Sequence, residues 1–242
     1  MSSLSDTFQT RAFALLDSAC SRNGGVIRQL APIIGQSISQ GGILHTFGSG
    51  HSDVIAREII GRAGGLVCVN GIVDPTGGFV ENLVGYGTQL AGRYDRQYHL
   101  LPGETIIVVS NSGKNSAPLE VALYAKQKGL NVVGLTAVSM SSLYATVHPG
   151  KKNLHAVADY VLDNCGVPGD AIVEVAQGVH AGPTSTLAGA MLLNLLMLEV
   201  THWLKEQGHP LPVLQSQNIP GAIDHNRELG RKYKARLSRQ LA

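Results

Sequence analysis

The sequence is poor in the features that define several classes of protein. Only three of its 242 residues are cysteines, Cys20, Cys68 and Cys165, and no two of them form a CxxC pair. This excludes a disulfide-stapled scaffold and a zinc ribbon, and it is typical of a protein in a reducing compartment.

A long apolar run and a leader segment are also missing. The longest apolar stretch, residues 188–200, is interrupted by Asn194 and Glu199. It falls short of the roughly 18–20 uninterrupted residues that span a membrane. The first eleven residues lack the basic start and apolar run of a secretory signal. We therefore expect a soluble, cytoplasmic protein without a membrane partner.

The sequence also lacks a large excess of charge of one sign, because its formal net charge is only +2. Residues 227–242 carry six Lys or Arg and one Glu, so this tail contributes +5 and the remainder −3. A basic tail can bind nucleic acid. However, Leu229, Tyr233 and Leu237 recur at four-residue steps, as in a helix that packs one face against the protein. We favour the packed helix and expect no nucleic-acid partner.

Glycine, by contrast, is abundant, with 29 residues that mark the ends of alternating elements. Residues 8–40 have the apolar spacing of a helix around a break at Gly24–Gly25. A β-favouring run at 43–47 then leads into the loop GSGHS and a helix that closes at Gly64–Gly65.

The order of strand, polar loop and helix then returns. An apolar strand at 104–110 precedes the loop NSGKN, a helix with Pro118 in its first turn and a second apolar strand at 131–138. Two continuous apolar strands around a helix predict a parallel βαβ unit with both faces of its sheet covered. Weaker strand candidates lie at 66–71, 160–164 and 171–176.

No change in composition divides the chain, so we expect one doubly wound α/β domain over residues 1–242. Residues 1–42 would form a helical arm, 43–210 the core and 211–242 a C-terminal helical tail. Ligands of such sheets bind beyond the carboxyl ends of the strands. Three segments rich in Gly, Ser and Thr stand where strands end or helices begin: GSGHS, SNSGKN and GPTST.

Two of these segments have the composition of an anion site. A helix N-terminus exposes unpaired amides, and small hydroxyl residues add donors without filling the space. The donors here would be Ser49, Ser52, Ser110, Ser112 and Asn115, while Gly50 would let the backbone approach the anion. Such residues are also ordinary helix caps. Two loops of this kind in one sheet favour the anion.

Several known motifs are absent. Asp53 occupies the third glycine position of GxGxxG, and Val108 occupies the first glycine position of a Walker motif, so dinucleotide and ATP sites are not expected. GxSxG and HExxH do not occur. The pattern therefore favours an anionic group on a small molecule, with no cofactor and no metal.

At this point the residues resemble a known family. FGSGHSDVIAREI and IIVVSNSGKNSAPLEVALYAKQKGLNVVGLT are similar to the two phosphate-loop segments of SIS (sugar isomerase) domains. DNCGVPGD, GPTSTLAGAMLLN and NIPGAIDHNRELGRKY resemble stand-alone bacterial SIS proteins, which are related to phosphoheptose isomerases. The resemblance covers roughly residues 10–237. It implies a flavodoxin-like five-stranded parallel sheet, a phosphorylated sugar as ligand and a homodimer or homotetramer.

The resemblance also implies roles for individual residues. Ser110, Asn111, Ser112 and Asn115 would hold the phosphate, together with Ser52. Lys114, beside this loop, would neutralise phosphate charge or remain solvated. A sulfonate has a similar tetrahedral shape, and nothing in this loop excludes it.

Proton transfer between C1 and C2 of a sugar phosphate, or elimination beside a carbonyl, needs a base and an acid. Glu58, on the helix after GSGHS, is the first candidate base by the resemblance, and an ion pair with Arg57 or Arg62 is the alternative. Glu81, between two Gly-rich turns, is the second candidate, and a solvated loop carboxylate is its alternative.

The candidate acids are two histidines. His51 lies in the first loop, whereas His45 lies in an apolar strand and is expected in the core. His225 follows IPGAID, and the resemblance implies that this C-terminal segment reaches the site of a neighbouring subunit. Thr184 and Ser185 would bind sugar hydroxyls or cap the helix that follows.

The sequence thus predicts a cofactor-independent aldose–ketose isomerase acting on a sugar phosphate, or a related lyase or etherase. A non-catalytic sensor of sugar phosphates is the alternative. The roughly 42 residues before the first strand contain no clustered basic recognition helix, which argues against a DNA-binding regulator.

Overall fold

The structure is a computed structural model, and it describes residues 3–238. The helices are α1 (Leu4–Ser39), α2 (Ser52–Arg57), α3 (Tyr86–Tyr98), α4 (Ser116–Gln127), α5 (Val138–Leu143), α6 (Leu154–Val157), α7 (Ser185–Glu206) and α8 (Ala222–Arg231). The strands are β1 (Leu44–Gly48), β2 (Val69–Ile72), β3 (Thr105–Val109), β4 (Asn131–Thr136), β5 (Tyr160–Asp163), β6 (Val173–Ala176) and β7 (Val179–Ala181).

The first five strands form one parallel sheet in the order β2-β1-β3-β4-β5. Leu44 of β1 stands in register with Val69 on one side and Thr105 on the other. This is the flavodoxin-like strand order. The order in which successive strands are added to the sheet reverses between β1 and β3, which is the topological switch point. The predicted doubly wound sheet is confirmed.

Helices cover both faces of this sheet, as predicted. On one face α1, α2 and α7 pack on side chains such as Ile107 and Leu135. On the other face α3, α4 and α6 pack on Ile106, Val108 and Val132. All five of these strand residues are fully buried. This explains why the central strands read as continuous apolar runs.

Helix α1 is continuous from Leu4 to Ser39, so the predicted break at Gly24–Gly25 is wrong. Each glycine in a helix costs about 1 kcal/mol relative to alanine. That cost is small beside the packing of α1 against α7 and β5, where Ile27, Leu30 and Ile34 are buried.

Several further elements differ from the sequence prediction, and α5, α6 and β7 had none. Helix α2 is only six residues long, ending at Arg57, although apolar spacing continued to Gly64–Gly65. Helix α3 had no sequence prediction. The strand predicted at 171–176 forms β6, which pairs with β7 in an antiparallel hairpin separate from the main sheet.

Helix α7 is the one helix of residues 3–238 that is long and apolar enough to cross a membrane by length and composition alone. Its fully buried leucines, Leu192, Leu193, Leu196 and Leu204, belong to the core cluster that it shares with α1 and the sheet. The core of the domain therefore accounts for these apolar residues.

The basic tail packs on the protein. Leu229, Tyr233 and Leu237 all contact the core cluster, as predicted, although helix α8 ends at Arg231 and the chain continues in turns. Beyond it, Arg236 donates to both carboxylate oxygens of Glu104, at 2.5 and 2.8 Å.

The Glu104 carboxylate also binds a buried histidine. His45 in β1 is fully buried, as predicted, and its Nε2 lies 3.0 Å from Glu104, while its Nδ1 lies 2.8 Å from the hydroxyl of Tyr94. Because an ionised carboxylate only accepts, His45 donates through Nε2 and accepts from Tyr94 through Nδ1.

Candidate functional site

The candidate site lies at the carboxyl edge of the sheet, where β1 and β3 end at Gly48 and Val109. The first loop turns at once into α2, and the amide of Ser52 donates to the carbonyl of Ser49 at 3.2 Å. A Cβ on Gly48 would overlap the backbone of Ser52, so only glycine fits at this turn.

A buried aspartate that the sequence analysis missed organises the first loop. The hydroxyl of Ser49 donates to Asp74 Oδ2 at 2.8 Å. Asp74 also accepts from the amide and hydroxyl of Thr76, the amide of Gly78 and, at 2.6 Å, the hydroxyl of Tyr86. Burial disfavours its charge, but the hydrogen bonds from Tyr86, Thr76 and Ser49 outweigh burial and lower the pKa of Asp74. The sequence signal was an acid directly after a β-strand, at the edge where ligands bind.

The same loop carries Glu81 to the second anion segment. Asn115 Nδ2 donates to Glu81 Oε1 at 2.6 Å, and the amide of Ala117 donates to the Glu81 carbonyl at 2.8 Å. Burial raises the pKa of the half-buried Glu81 carboxyl, the charge of Asp74 raises it further, and the Ser49 hydroxyl opposes the shift. Glu81, Ser49 and Asn115, each singled out from sequence, thus lie together.

The loop from Asp74 to Glu81 also touches the first loop, GSGHS, through the backbones of both loops. A Cβ on Gly78, whose φ is +92°, would lie 2.7 Å from Cα and N of Gly50. Backbone atoms cannot move aside as a flexible side chain can. Glycine at position 78 therefore lets the Asp74–Glu81 loop lie directly on the first loop.

The polar side chains of the second loop, SNSGKN, fall into two sets, one hydrogen-bonded within the protein and one free. The amide of Gly113 donates to the buried Ser110 hydroxyl at 3.2 Å, and Asn164 Nδ2 donates to Asn111 Oδ1 at 2.8 Å. These two side chains brace the loop. Within residues 3–238 the hydroxyls of Ser112 and Ser52 make no hydrogen bond, so both are available to a ligand.

Two further features of the second loop bear on anion binding. Lys114 Nζ lies 5.2 Å from the centre of the Tyr144 ring, beside the loop. Asn115 stands at the N-cap of α4, but its side chain binds Glu81 instead of capping the helix. The positive end of α4 is thus not capped by the side chain of its own N-cap residue.

The remaining predicted site residues lie elsewhere or have other partners. Glu58, at the C-cap of α2, forms an ion pair with Arg62, the alternative given for it above. His225 donates through Nε2 to the carbonyl of Val213 at 3.2 Å. Val213 forms a β-bridge with Leu66, which precedes β2. Within a single chain, His225 therefore lies near the amino ends of the strands, at the edge of the sheet opposite to the loops.

The start of α7 has a structural partner. Asp170 Oδ1 accepts from the amides of Thr184 and Ser185, and Asp170 Oδ2 accepts from the Ser185 hydroxyl at 2.5 Å. Asp170 therefore caps α7. His51 remains exposed in the first loop, and its ring makes no hydrogen bond within residues 3–238.

No cluster of three or more His, Cys, Asp or Glu residues suited to a metal ion occurs in the described part of the chain. The site instead combines a half-buried carboxyl of raised pKa, unpaired hydroxyls and a helix N-terminus. Such a combination can bind an anion and remove a proton from a carbon near it.

Comparison with known proteins identifies the class. The family model of the SIS domain matches residues 7–137, and the chain therefore belongs to the SIS domain family. Among curated relatives, a UPF0309 protein of Caldanaerobacter subterraneus is 40% identical over 225 residues, covering 87% of this chain and 89% of the relative. A UPF0309 protein of Listeria monocytogenes is 34% identical over 233 residues, covering 96% and 97%.

Solved structures show the same fold. A phosphoheptose isomerase from Francisella tularensis has a TM-score of 0.53 at 17% identity, covering 82% of this chain and all of that one. Vibrio vulnificus NanR complexed with ManNAc-6P has a TM-score of 0.52 at 15% identity, covering 99% of this chain and 72% of that one. An Escherichia coli protein in complex with a sugar phosphate also has a TM-score of 0.52, at 17% identity, covering 84% and 90%. These structural neighbours bind sugar phosphates or act on them.

Proposed function

We propose that this protein binds a phosphorylated sugar across the two loops and interconverts its aldose and ketose forms without a cofactor, with Glu81 as the base. One observation carries the proposal. Glu81, a half-buried carboxyl of raised pKa, is hydrogen-bonded to Asn115, which stands at the N-terminus of the helix that would hold the phosphate.

The phosphate would be held by the amide of Ser116 at the start of α4 and the free hydroxyls of Ser52 and Ser112, because the Ala117 amide binds the Glu81 carbonyl and Pro118 has no N–H. The fully buried hydroxyl of Ser116, at the first position of α4, has no partner within residues 3–238. A buried polar group without a partner costs about 1–3 kcal/mol, and a ligand oxygen or a water can supply that partner.

The chemistry would use the Glu81 carboxylate on an open-chain sugar. Glu81 takes the proton from C2, the electrons of that bond form an enediolate, and the same group returns a proton to C1. His51, exposed in the first loop, is the candidate acid for the sugar oxygens. A base is most effective when its pKa lies near the working pH, so a raised pKa suits Glu81.

The test is proton exchange in D₂O. The protein is incubated with a panel of sugar phosphates and the corresponding sugar sulfonates, and deuterium at C2 is followed by NMR. We expect exchange with at least one phosphate, and its abolition in Glu81→Gln. Exchange that survives in Glu81→Gln but disappears in Glu58→Gln would transfer the role of base to Glu58.

Anion binding is tested separately by thermal stabilisation. Ser112→Ala should weaken the shift in melting temperature caused by a bound sugar phosphate, because it removes a free hydroxyl from the second loop. Ser18→Ala serves as control, since the Ser18 hydroxyl donates to the Ala14 carbonyl on α1, outside both loops. Equal shifts in wild type and Ser112→Ala would remove Ser112 from the site.

A sugar-phosphate sensor is the second candidate, and a specific observation favours it. Within residues 3–238 neither His51 nor His225 is hydrogen-bonded to Glu81, so a single chain does not show an assembled acid–base pair. Binding of a sugar phosphate without exchange at C2 would support the sensor. Release of a substituent instead of exchange alone would support the lyase or etherase.

We also propose that copies of the chain associate into a homodimer or homotetramer through α7. Leu187, Met191 and Leu198 lie on one side of this helix and are 46, 43 and 65% exposed. Burying them against a second copy would stabilise the assembly, and the family resemblance implies that a neighbour's C-terminal segment, with His225, would then reach the loops. Light scattering should show an oligomer that Leu198→Glu dissociates, and a monomeric wild type would exclude the assembly.

A further inference from the structure

Asp74 is the most highly connected side chain at the candidate site, and the chemistry proposed above does not use it. It is 5% exposed, and its two carboxylate oxygens accept five hydrogen bonds. We propose that Asp74, through its hydrogen bonds to Ser49 and to the loop that it anchors, is a positioning residue that sets the placement of Glu81. This inference rests on the proposed role of Glu81 as the base.

The geometry ties three segments to Asp74. Ser49 comes from the loop after β1, Thr76 and Gly78 come from the loop after β2, and Tyr86 is the first residue of α3. The segment between Gly78 and Tyr86 contains Glu81 and is held at both ends by the same carboxylate. Moving either end would move the base relative to Asn115 and the phosphate site.

The Ser49 hydroxyl connects the two carboxyls. It donates to Asp74 Oδ2 at 2.8 Å and also lies against the carboxyl of Glu81. A hydroxyl has one proton to donate, and Asp74 receives it. The Ser49 hydroxyl nevertheless lowers the pKa of Glu81, whereas the negative charge of Asp74 raises it, so the two neighbours act on Glu81 in opposite directions.

The surrounding ionisable groups leave Asp74 as the dominant charge near Glu81. Asp53 is paired with Arg57 at 2.7 Å, and the buried Glu120 accepts from the amides of Gly85 and Thr88. His148 Nε2 lies 3.7 Å from Glu120. Of the other ionisable groups in the loops and helix starts beside Glu81, Tyr86 donates to Asp74, Lys114 stacks on Tyr144 and His51 is exposed.

The experiment measures the pKa of Glu81 directly, by carbon-detected NMR of the ¹³C-labelled protein, with Glu81→Gln identifying its carboxyl signal. Asp74→Asn removes the neighbouring charge and should lower the pKa of Glu81. Ser49→Ala removes the hydroxyl and should raise it. A general loss of structure would instead shift the pKa of Glu81 in the same direction in both variants. Asp53→Asn is the matched control, because it removes a charge that Arg57 already neutralises, and the pKa of Glu81 should stay at its wild-type value.

The same variants are compared in the exchange assay with whichever sugar phosphate the wild type deuterates. In Asp74→Asn the acid limb of the pH profile should move to lower pH, with kcat reduced by up to about a hundredfold because the base is displaced. Unchanged Glu81 titration in both Asp74→Asn and Ser49→Ala would overturn the inference. Absence of exchange in the wild type, with the NMR shifts as expected, would refute the proposed reaction but leave the placement of Glu81 by Asp74 intact.

Discussion

Replacing Arg236 by alanine should lower the free energy of unfolding by about 3 kcal/mol at pH 7. The Arg236 side chain is 16% exposed and Glu104 is 3% exposed, so the substitution leaves a buried carboxylate without its cation. Breaking a buried ion pair by removing one partner costs about 3–5 kcal/mol. The lower end applies here, because His45 and the amides of Ile43 and Leu101 still donate to Glu104.

The titration of Glu104 measures the combined effect of its two partners, His45 and Arg236. Burial raises its pKa, but the hydrogen bonds from His45 and Arg236 outweigh burial and lower the pKa from 4.5 to about 2. A difference of this size corresponds to about 3 kcal/mol. Because the pKa is lower in the folded state, this contribution is present above about pH 4.5 and disappears as the pH falls through about 2.

The assay is urea unfolding followed by the fluorescence of Trp203, the only tryptophan, which packs on Gly35 of α1. Wild type should lose about 3 kcal/mol from Glu104 between pH 5 and pH 2. Arg236→Ala should start lower and lose less over that range, because the folded-state pKa of Glu104 is then closer to its ordinary value.

Arg231→Ala is the matched control from the same tail. Arg231 pairs with Glu228, but these side chains are 67 and 70% exposed, and such pairs contribute about 0–1 kcal/mol. If Arg236→Ala were no less stable than Arg231→Ala, the tail would not stabilise the sheet through Glu104 and the reasoning would be refuted.

Two further substitutions test the packing around the site, each measured by the same urea assay. Gly78→Ala should cost about 1–3 kcal/mol, because its Cβ would meet the backbone of Gly50, whereas Gly77→Ala, with a φ of +62° and open space around it, should cost less. An equal loss of stability in the two variants would show that the Asp74–Glu81 loop and the first loop are not in close contact. Asp170→Ala should cost about 1–2 kcal/mol by uncapping α7, and Asp170→Asn should cost less, because it keeps one acceptor and tolerates the φ of +55°. Equal stability of wild type and Asp170→Ala would argue against the cap.

The sequence predicted those parts of the fold that depend on local patterns. The strands at 104–110 and 131–138 are continuous apolar runs, and the helix between them begins near Pro118, so the βαβ unit was evident. Helix α3 was missed because it is largely polar, with only Leu90 and Tyr94 as its large buried side chains. The strand at 171–176 was predicted correctly, but its pairing with β7 is a tertiary property.

The site was predictable as two loops but not as a set of contacts. The loops GSGHS and SNSGKN follow strands, so their place at the carboxyl edge follows from topology. The contact between Glu81 and Asn115 joins residues 34 apart in sequence, and it depends on how the loop after β2 folds over α4. Asp74 was overlooked because a lone aspartate in a turn is usually an ordinary turn residue.

Two glutamates at opposite edges of this sheet, one structural and one the proposed base, have opposite electrostatic surroundings. Glu104, ahead of β3, accepts from Arg236 and His45, and its pKa falls to about 2, so it stays ionised and inert. Glu81, beyond the carboxyl ends of the strands, forms no ion pair with any Lys or Arg of residues 3–238, and its nearest charge is Asp74. Its pKa is raised instead. Because the surroundings shift the pKa values of these two carboxyls in opposite directions, one fold can hold both a stabilising charge and a candidate base. The position of Glu81 beside the loop proposed to bind the anion therefore supports the proposal that Glu81 is the base.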